Sequence, residues 1–220
     1  YILNNYLNLK GLISIDIFTR DGDHYHVGDT LDVGQVDTAA VQRLWQSARD
    51  SERLVWWAGV ERNVNTHSTH GQVITATKVL RRMNRETLTQ EPLALLLANY
   101  SVDELYDRFH RTDLGEDAYI QIVDQRGRVI YHPDRTLIGS RIDAPLWHVN
   151  AEPEMSLTAI ITGQPYTISH VAVPRNGWYL ESIIPNRTLA AKAVQIQRNT
   201  ALLLSACFGM VGLAALLYSR

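Results

Sequence analysis

The stretch IQIVDQRGRVIYHPD, residues 120–134, has an earlier counterpart in IDIFTRDGDHYHVGD, residues 15–29. Laid over each other, Ile15 meets Ile120, Ile17 meets Ile122, Phe18 meets Val123, Gly22 meets Gly127 and Asp29 meets Asp134. Both segments alternate apolar and polar residues, break at a charged turn containing one glycine, and resume alternation. A strand, a tight turn and a second strand produce that pattern. The chain is therefore expected to use one hairpin twice.

Working outward from the first copy, residues 1–11 read as the end of a helix stopped by Gly11. The hairpin spans about 12–28 and turns at Asp21-Gly22. Residues 37–52 have a helical period, with Asp37 as N-cap and Val41, Leu44, Trp45 and Ala48 on one face. RLVWWAGVE (53–61) and VITATKVLRRM (73–83) read as strands joined by the polar loop RNVNTHSTHGQ. PLALLLANY (92–100) is a third strand, buried on both sides. Ser101 followed by Glu104 is a capping box that opens a helix. Helix, hairpin, helix and three strands make a small antiparallel sheet with helices packed on it, an α+β module. The second copy follows the same plan in shorter form: a hairpin over 118–132, then MSLTAIITG, QPYTISHVAVP and GWYLESIIP, separated by glycine-containing breaks.

The 220 residues suffice for one large or two small cores, and a formal net charge of −2 gives a polyanion nothing to grip. No nucleic-acid partner is expected. A single cysteine, Cys207, excludes an intrachain disulfide. From Asn186 onward the chain reads as one uninterrupted helix. Its residues 201–218 carry no charge and would extend about 27 Å, near the hydrocarbon thickness of a bilayer. A transmembrane helix is the expectation, with a buried soluble helix as the competing reading. Leu189, Ala193, Ile196, Thr200, Leu203, Cys207, Met210, Ala214 and Leu217 form a seam spaced by four and three, which suits a helix pair and hence a homodimer. The abrupt start inside a helix-like stretch suggests a piece of a longer polypeptide.

The order of these elements resembles the double Cache (dCACHE) sensor domains, the extracytoplasmic input regions of bacterial sensor histidine kinases, diguanylate cyclases and chemoreceptors. The likeness is carried by LALLLANYSVDELYDRF (93–109), YIQIVDQRGRVIYHPDRTLIGSRI (119–142) and NGWYLESIIPNRTL (176–189). It implies a fold of class α+β: two tandem PAS-like (Cache) modules with antiparallel sheets, a long N-terminal helix and a C-terminal transmembrane helix. The implied boundaries are 1–112 for a membrane-distal module, 113–186 for a proximal one and 187–220 for the juxtamembrane and transmembrane helix. It further implies a small ligand in the distal module and a periplasmic location at the bacterial cytoplasmic membrane. The amino-acid-binding branch of that family has an aspartate near the end of the distal closing strand, where this chain has Asn99. An amide forgoes the charge-assisted bond to an ammonium group, so ordinary amino-acid sensing is in doubt.

A ligand seat needs aromatic walls and a few aimed polar groups. Trp57 and Glu61, four apart on a strand, are expected on one face. Lys78 interrupts an apolar strand, Tyr25 belongs to the first hairpin, and Asn99 closes LALLLA. Tyr25, Trp57, Glu61, Lys78 and Asn99 are the expected ligand residues, with Lys78 facing an anionic group. The rival reading is a metal sensor. His24 and His26 lie two apart on a strand, His67 and His70 form H-x-x-H in a loop, and imidazoles bind zinc, copper or nickel.

No phosphate-cradling loop, nucleophile elbow or kinase histidine box is present, so this segment is expected to be non-enzymatic, with no cofactor and any catalytic output beyond Arg220. The leading reading is a sensory input domain; the alternative is a membrane-anchored assembly or adhesion domain without a small ligand.

Overall fold

The structure is a computed structural model. It describes residues 10–31, 35–51, 53–142 and 154–218, and in the last helix the side chains of residues 192, 206 and 208–218 are outside that description. The helix expected over 1–11 lies, but for Lys10 and Gly11, outside the described residues.

The elements follow the sequence pattern closely. Strand β1 is Leu12–Thr19 and β2 is His24–Gly28. Helix α1, Thr38–Asp50, is capped by Asp37, whose side chain accepts a hydrogen bond from the Ala40 amide. Strands β3 (Trp56–Arg62), β4 (Gln72–Met83) and β5 (Gln90–Ser101) follow, then helix α2, Val102–Phe109. The Ser101 hydroxyl accepts from the Glu104 amide, which is one half of the expected capping box. The second hairpin is β6 (Tyr119–Val123) and β7 (Val129–Tyr131), and strands β8 (Glu154–Ile161), β9 (Gln164–Val173) and β10 (Trp178–Pro185) complete the set before helix α3, Asn186–Tyr218.

Two five-stranded antiparallel sheets result, ordered β2-β1-β5-β4-β3 and β7-β6-β10-β9-β8. Numbered within each copy, both read 2-1-5-4-3, so the repeat seen in sequence is a repeat of topology. It extends to the hairpin turns. The Thr19 amide donates to the Asp23 carbonyl and the Gly22 amide to the Thr19 carbonyl; at the matching positions Asp124 donates to Arg128 and Gly127 to Asp124. Gly22 and Gly127 both have positive φ, 99° and 74°, the left-handed conformation that a glycine adopts without a Cβ penalty.

The chain divides into two compact units. One comprises Tyr1–Thr112, Ile120–Met155 and His170–Glu181; the other comprises Asp113–Tyr119, Ser156–Ser169 and Ser182–Arg220. In the first unit, α1 buries Ala40, Leu44 and Ala48 against Ala58, Leu95 and Leu97 of the first sheet and Val64 of the loop after β3. On the sheet's other side, Val60, Ile74 and Trp57 pack with residues of α2, with Tyr131 and with Trp178. In the second unit, Arg187 pairs with Asp117 at the start of α3, and the Thr188 hydroxyl donates to the Glu116 carbonyl 2.9 Å away.

Two expectations need correction. The β5 strand is not evenly buried on both sides: Leu95, Leu97 and Asn99 are sealed while Leu96, Ala98 and Tyr100, on the opposite face, are only half-buried. Helix α1 buries Ala40 in the centre of its face, leaving Val41 and Trp45 only partly covered at its flank. Among the described residues no helix is long and apolar enough to cross a membrane. Most of the 201–218 run lies outside the described side chains.

Candidate functional site

Residues opposite one another in an antiparallel pair share a face. Across β1, β5 and β4 this aligns Ser14 with Asn99 and Thr75, Asp16 with Leu97 and Thr77, and Phe18 with Leu95 and Val79. On β2, His26 stands opposite Asp16 and His24 opposite Phe18. The face that receives α1 is therefore apolar at one end and polar at the other.

The polar end is a closed network around Asp16, which is 0% exposed. Its Oδ1 lies 2.9 Å from His24 Nε2 and 2.7 Å from His26 Nδ1. Its Oδ2 accepts from the Ser14 hydroxyl at 3.0 Å and from the Asn99 amide at 3.2 Å. Asn99 also donates to Ser14, and its Oδ1 accepts from the Thr75 hydroxyl at 2.8 Å. A buried carboxylate is tolerated when its lone pairs are matched in this way. The polar loop after β3 closes over this end of the module. Asn65 donates to Thr30, and Ser68 donates to Asp29, both just beyond β2.

At the apolar end a cleft of about 730 Å³ opens between α1 and the β1–β2 hairpin. Phe18, Val41 and Trp45 line its wall; Arg20, Arg49 and Arg81 border it together with one carboxylate, Asp23. His24 belongs to both regions: it lines the cleft, stacks on Phe18 with ring centroids 4.2 Å apart, and reaches Asp16. The volume falls within the range of small-molecule sites, about 300–1,000 Å³.

The five expected ligand residues do not meet. Asn99 alone lies in the polar network. Tyr25, opposite Ile17, and Lys78, opposite Leu96, are on the sheet face away from α1. Trp57 is on that face too, packed against Tyr100 and Trp178. Nor do Trp57 and Glu61 share a face. A bulge at Ala58-Gly59 inserts one residue, so Trp57 pairs with Ala76 while Glu61 pairs with Val73, and parity along β3 is lost. Gly59 has φ of 84° there, a conformation that disfavours any other residue. Glu61 instead meets Arg128, which also holds Asp124 and the Ala58 carbonyl. Burial works against the Arg128 charge, but the hydrogen bonds and fields of Glu61 and Asp124 outweigh it and raise the guanidinium pKa.

Of the two histidine pairs, His24 and His26 converge with Asp16, and these three form the one such cluster of metal-ligating groups among the described residues. His67 and His70 are not in it. The residue that sequence reasoning passed over is Asp16. Its signal was present in LISIDIFT, where Ser14 and Asp16 interrupt an apolar strand at the spacing of one face.

No protein-family model and no curated protein matches the chain in sequence. Solved structures do match in fold. The ligand-binding domain of the Pseudomonas aeruginosa PAO1 chemoreceptor PctB, in complex with L-Arg, aligns at 16% identity and a TM-score of 0.62, over 86% of this chain and 72% of that one. The ligand-binding domain of Mlp24 with asparagine aligns at 15% identity and 0.58, over 80% and 69%. The extracellular domain of rpHK1S-Z16, described as a histidine kinase, aligns at 14% identity and 0.65, over 86% and 79%. At these identities the likeness establishes a common fold, that of the ligand-binding domains of chemoreceptors and sensor histidine kinases, in agreement with the double Cache resemblance.

Proposed function

We propose that the chain is the periplasmic sensory input region of a bacterial transmembrane receptor, and that it binds a small anionic molecule in the cleft between α1 and the β1–β2 hairpin. The observation that carries this reading is the cleft itself, bordered by three arginines and one carboxylate beside aromatic walls. Guanidinium groups hold carboxylates and phosphates through charge-assisted, often bidentate, hydrogen bonds. Sensor domains of this fold supply the general role: the PctB and Mlp24 domains were solved with L-Arg and asparagine.

Those ligands carry an ammonium group as well as a carboxylate. Here Asn99 brings no charge, and Asp16, 3.2 Å away, already accepts from His24 and His26. An incoming ammonium group has to displace imidazoles to reach it. An organic acid without an amine meets no such competition.

Within this reading the membrane-distal module runs over 1–112 and the proximal one over 113–186, and residues 187–220 carry the signal to the membrane. The uncharged run 201–218 anchors the domain, and the exposed apolar side chains Leu189, Val194 and Ile196 of α3 favour a paired helix in a homodimer. Ligand binding shifts such a receptor only by its difference in affinity for the two signalling states.

The test is a thermal-shift and calorimetry series on the full chain with dicarboxylates, hydroxy acids, amino acids and simple amines. Carboxylate ligands should stabilise it by about 2.7 kcal/mol at a hundredfold excess over Kd. Arg81→Ala should weaken binding roughly tenfold or more by removing a charge-assisted bond. If no acid stabilises the chain and its association instead depends on concentration, the assembly-domain reading replaces this one.

A further inference from the structure

The geometry points to a divalent transition-metal site of the zinc class formed by Asp16, His24 and His26. The three come from adjacent strands of one hairpin, with His26 directly opposite Asp16 and His24 two residues along. Their donor atoms all lie within 4.8 Å of one another. Asp16 Oδ1 is 2.9 Å from His24 Nε2 and 2.7 Å from His26 Nδ1. Bonds of about 2.1 Å to zinc place neighbouring donors about 3.0–3.4 Å apart, so the two carboxylate–imidazole separations would widen by about 0.1–0.7 Å, and any wider pair of donors would close from within 4.8 Å, as an ion entered.

The surroundings fit a ligand set better than a plain hydrogen-bond cluster. Without an ion, one carboxylate oxygen serves two imidazoles, each of which turns one ring nitrogen toward it. The other carboxylate oxygen is fixed by Ser14 and Asn99, and Asn99 is fixed in turn by Thr75. Outer-shell bonds of this kind orient a ligating carboxylate. Gly28 makes room for the His26 ring: a Cβ there would stand 2.8 Å from Cε1 and 2.9 Å from Nε2. His24 borders the 730 Å³ cleft, which gives an ion an entry path and space for a non-protein donor.

Two imidazoles and one carboxylate select zinc, nickel or ferrous iron over magnesium or calcium, which take oxygen-rich shells. Three protein ligands leave coordination open. The site does not depend on the cleft binding an organic acid, and its failure would leave that reading standing.

The experiment strips the full chain with chelator, then equilibrates it with zinc chloride alone and measures bound metal and visible absorption after cobalt substitution. The expected result is one zinc per chain, retained in excess magnesium and in the double variant His67→Gln, His70→Gln. It should weaken by roughly 100-fold or more in His24→Gln, at least the cost of losing an outer-shell partner. His24 is at the cleft rather than the centre of the core, so this variant tests the site even if His26→Gln or Asp16→Asn fails to fold. Absence of stoichiometric zinc, or zinc binding that survives His24→Gln, overturns the proposal. Loss of binding in the His67, His70 double variant, with binding intact in His24→Gln, overturns it equally by moving the metal to the loop.

Discussion

His26 Nδ1 lies 2.7 Å from Asp16 Oδ1, and the two residues face each other across the β1–β2 pair. That contact ties the edge strand of the first sheet to a carboxylate with no solvent exposure. The edge hairpin is thus fixed by a polar bond where a sheet edge is ordinarily fixed by apolar packing.

Replacing Asp16 by Asn keeps the shape but turns one acceptor atom into a donor that faces donors. Stability should fall by about 3 kcal/mol, the range for removing one partner of a buried charged cluster. Asn99→Ala, which removes three neutral or singly charged contacts, should cost about 2 kcal/mol. Urea denaturation with an unchanged m value checks both. A loss under about 1 kcal/mol for Asp16→Asn would show that the network contributes little to folding.

Gly28→Ala tests the close packing beside the histidines. The residue does not need positive φ, so the penalty is steric: the added Cβ would stand 2.6 Å from the Ser14 Cβ and 2.8 Å from the His26 ring. Overpacking of this kind costs about 1–3 kcal/mol. The His26 imidazole resonances should move in the spectrum of the folded variant. Unchanged resonances with unchanged stability would mean that the strand shifts freely at this point.

Arg128 bridges Glu61 and Asp124 and caps the Ala58 carbonyl at the β3 bulge. Arg128→Lys keeps the charge but loses the fork that serves three acceptors at once. A drop of about 2 kcal/mol is expected, with Arg128→Ala lower still because the buried Asp124 then loses its ion-pair partner and keeps only backbone amide donors. Equal stabilities for the lysine variant and the parent would show that charge alone suffices.

Periodicity carried most of the fold into view. The alternation in IDIFTRDG and IQIVDQRG located both hairpins, and the glycine in each marked the turn whose hydrogen bonds now coincide. The candidate site was less legible, for reasons that lie in non-local geometry. The expected pairing of Trp57 with Glu61 failed because a bulge changes face parity, and Gly59 gave the only local hint of it. Lys78 and Asn99 lie on different strands, and nothing within either strand says which of its faces receives α1. Only the register of β5 between β1 and β4 separates them. Asp16 was hidden in a run that reads as core, because a buried carboxylate makes sense only once its four donors are in place.

Glu181 provides a pH test independent of the ligand site. It is 3% exposed, and Gln121 Nε2 donates to its Oε2 at 2.5 Å. Burial raises its pKa above the usual carboxylate range, and the Gln121 bond and the field of His170 offset that only in part. A raised pKa means that the folded chain holds this proton more tightly than the unfolded chain. Its contribution to stability is therefore complete below the unfolded pKa and is lost as pH climbs through the folded value. Above that folded value the ionised group is a burden. Glu181→Gln removes the titration while keeping an acceptor for Gln121. The variant should be more stable than the parent near about pH 8, and the gap should close on acidification toward about pH 4, where both side chains are neutral. Denaturation midpoints at several pH values measure that gap. A gap that stays constant across the range would mean that Glu181 titrates alike in the folded and unfolded chain.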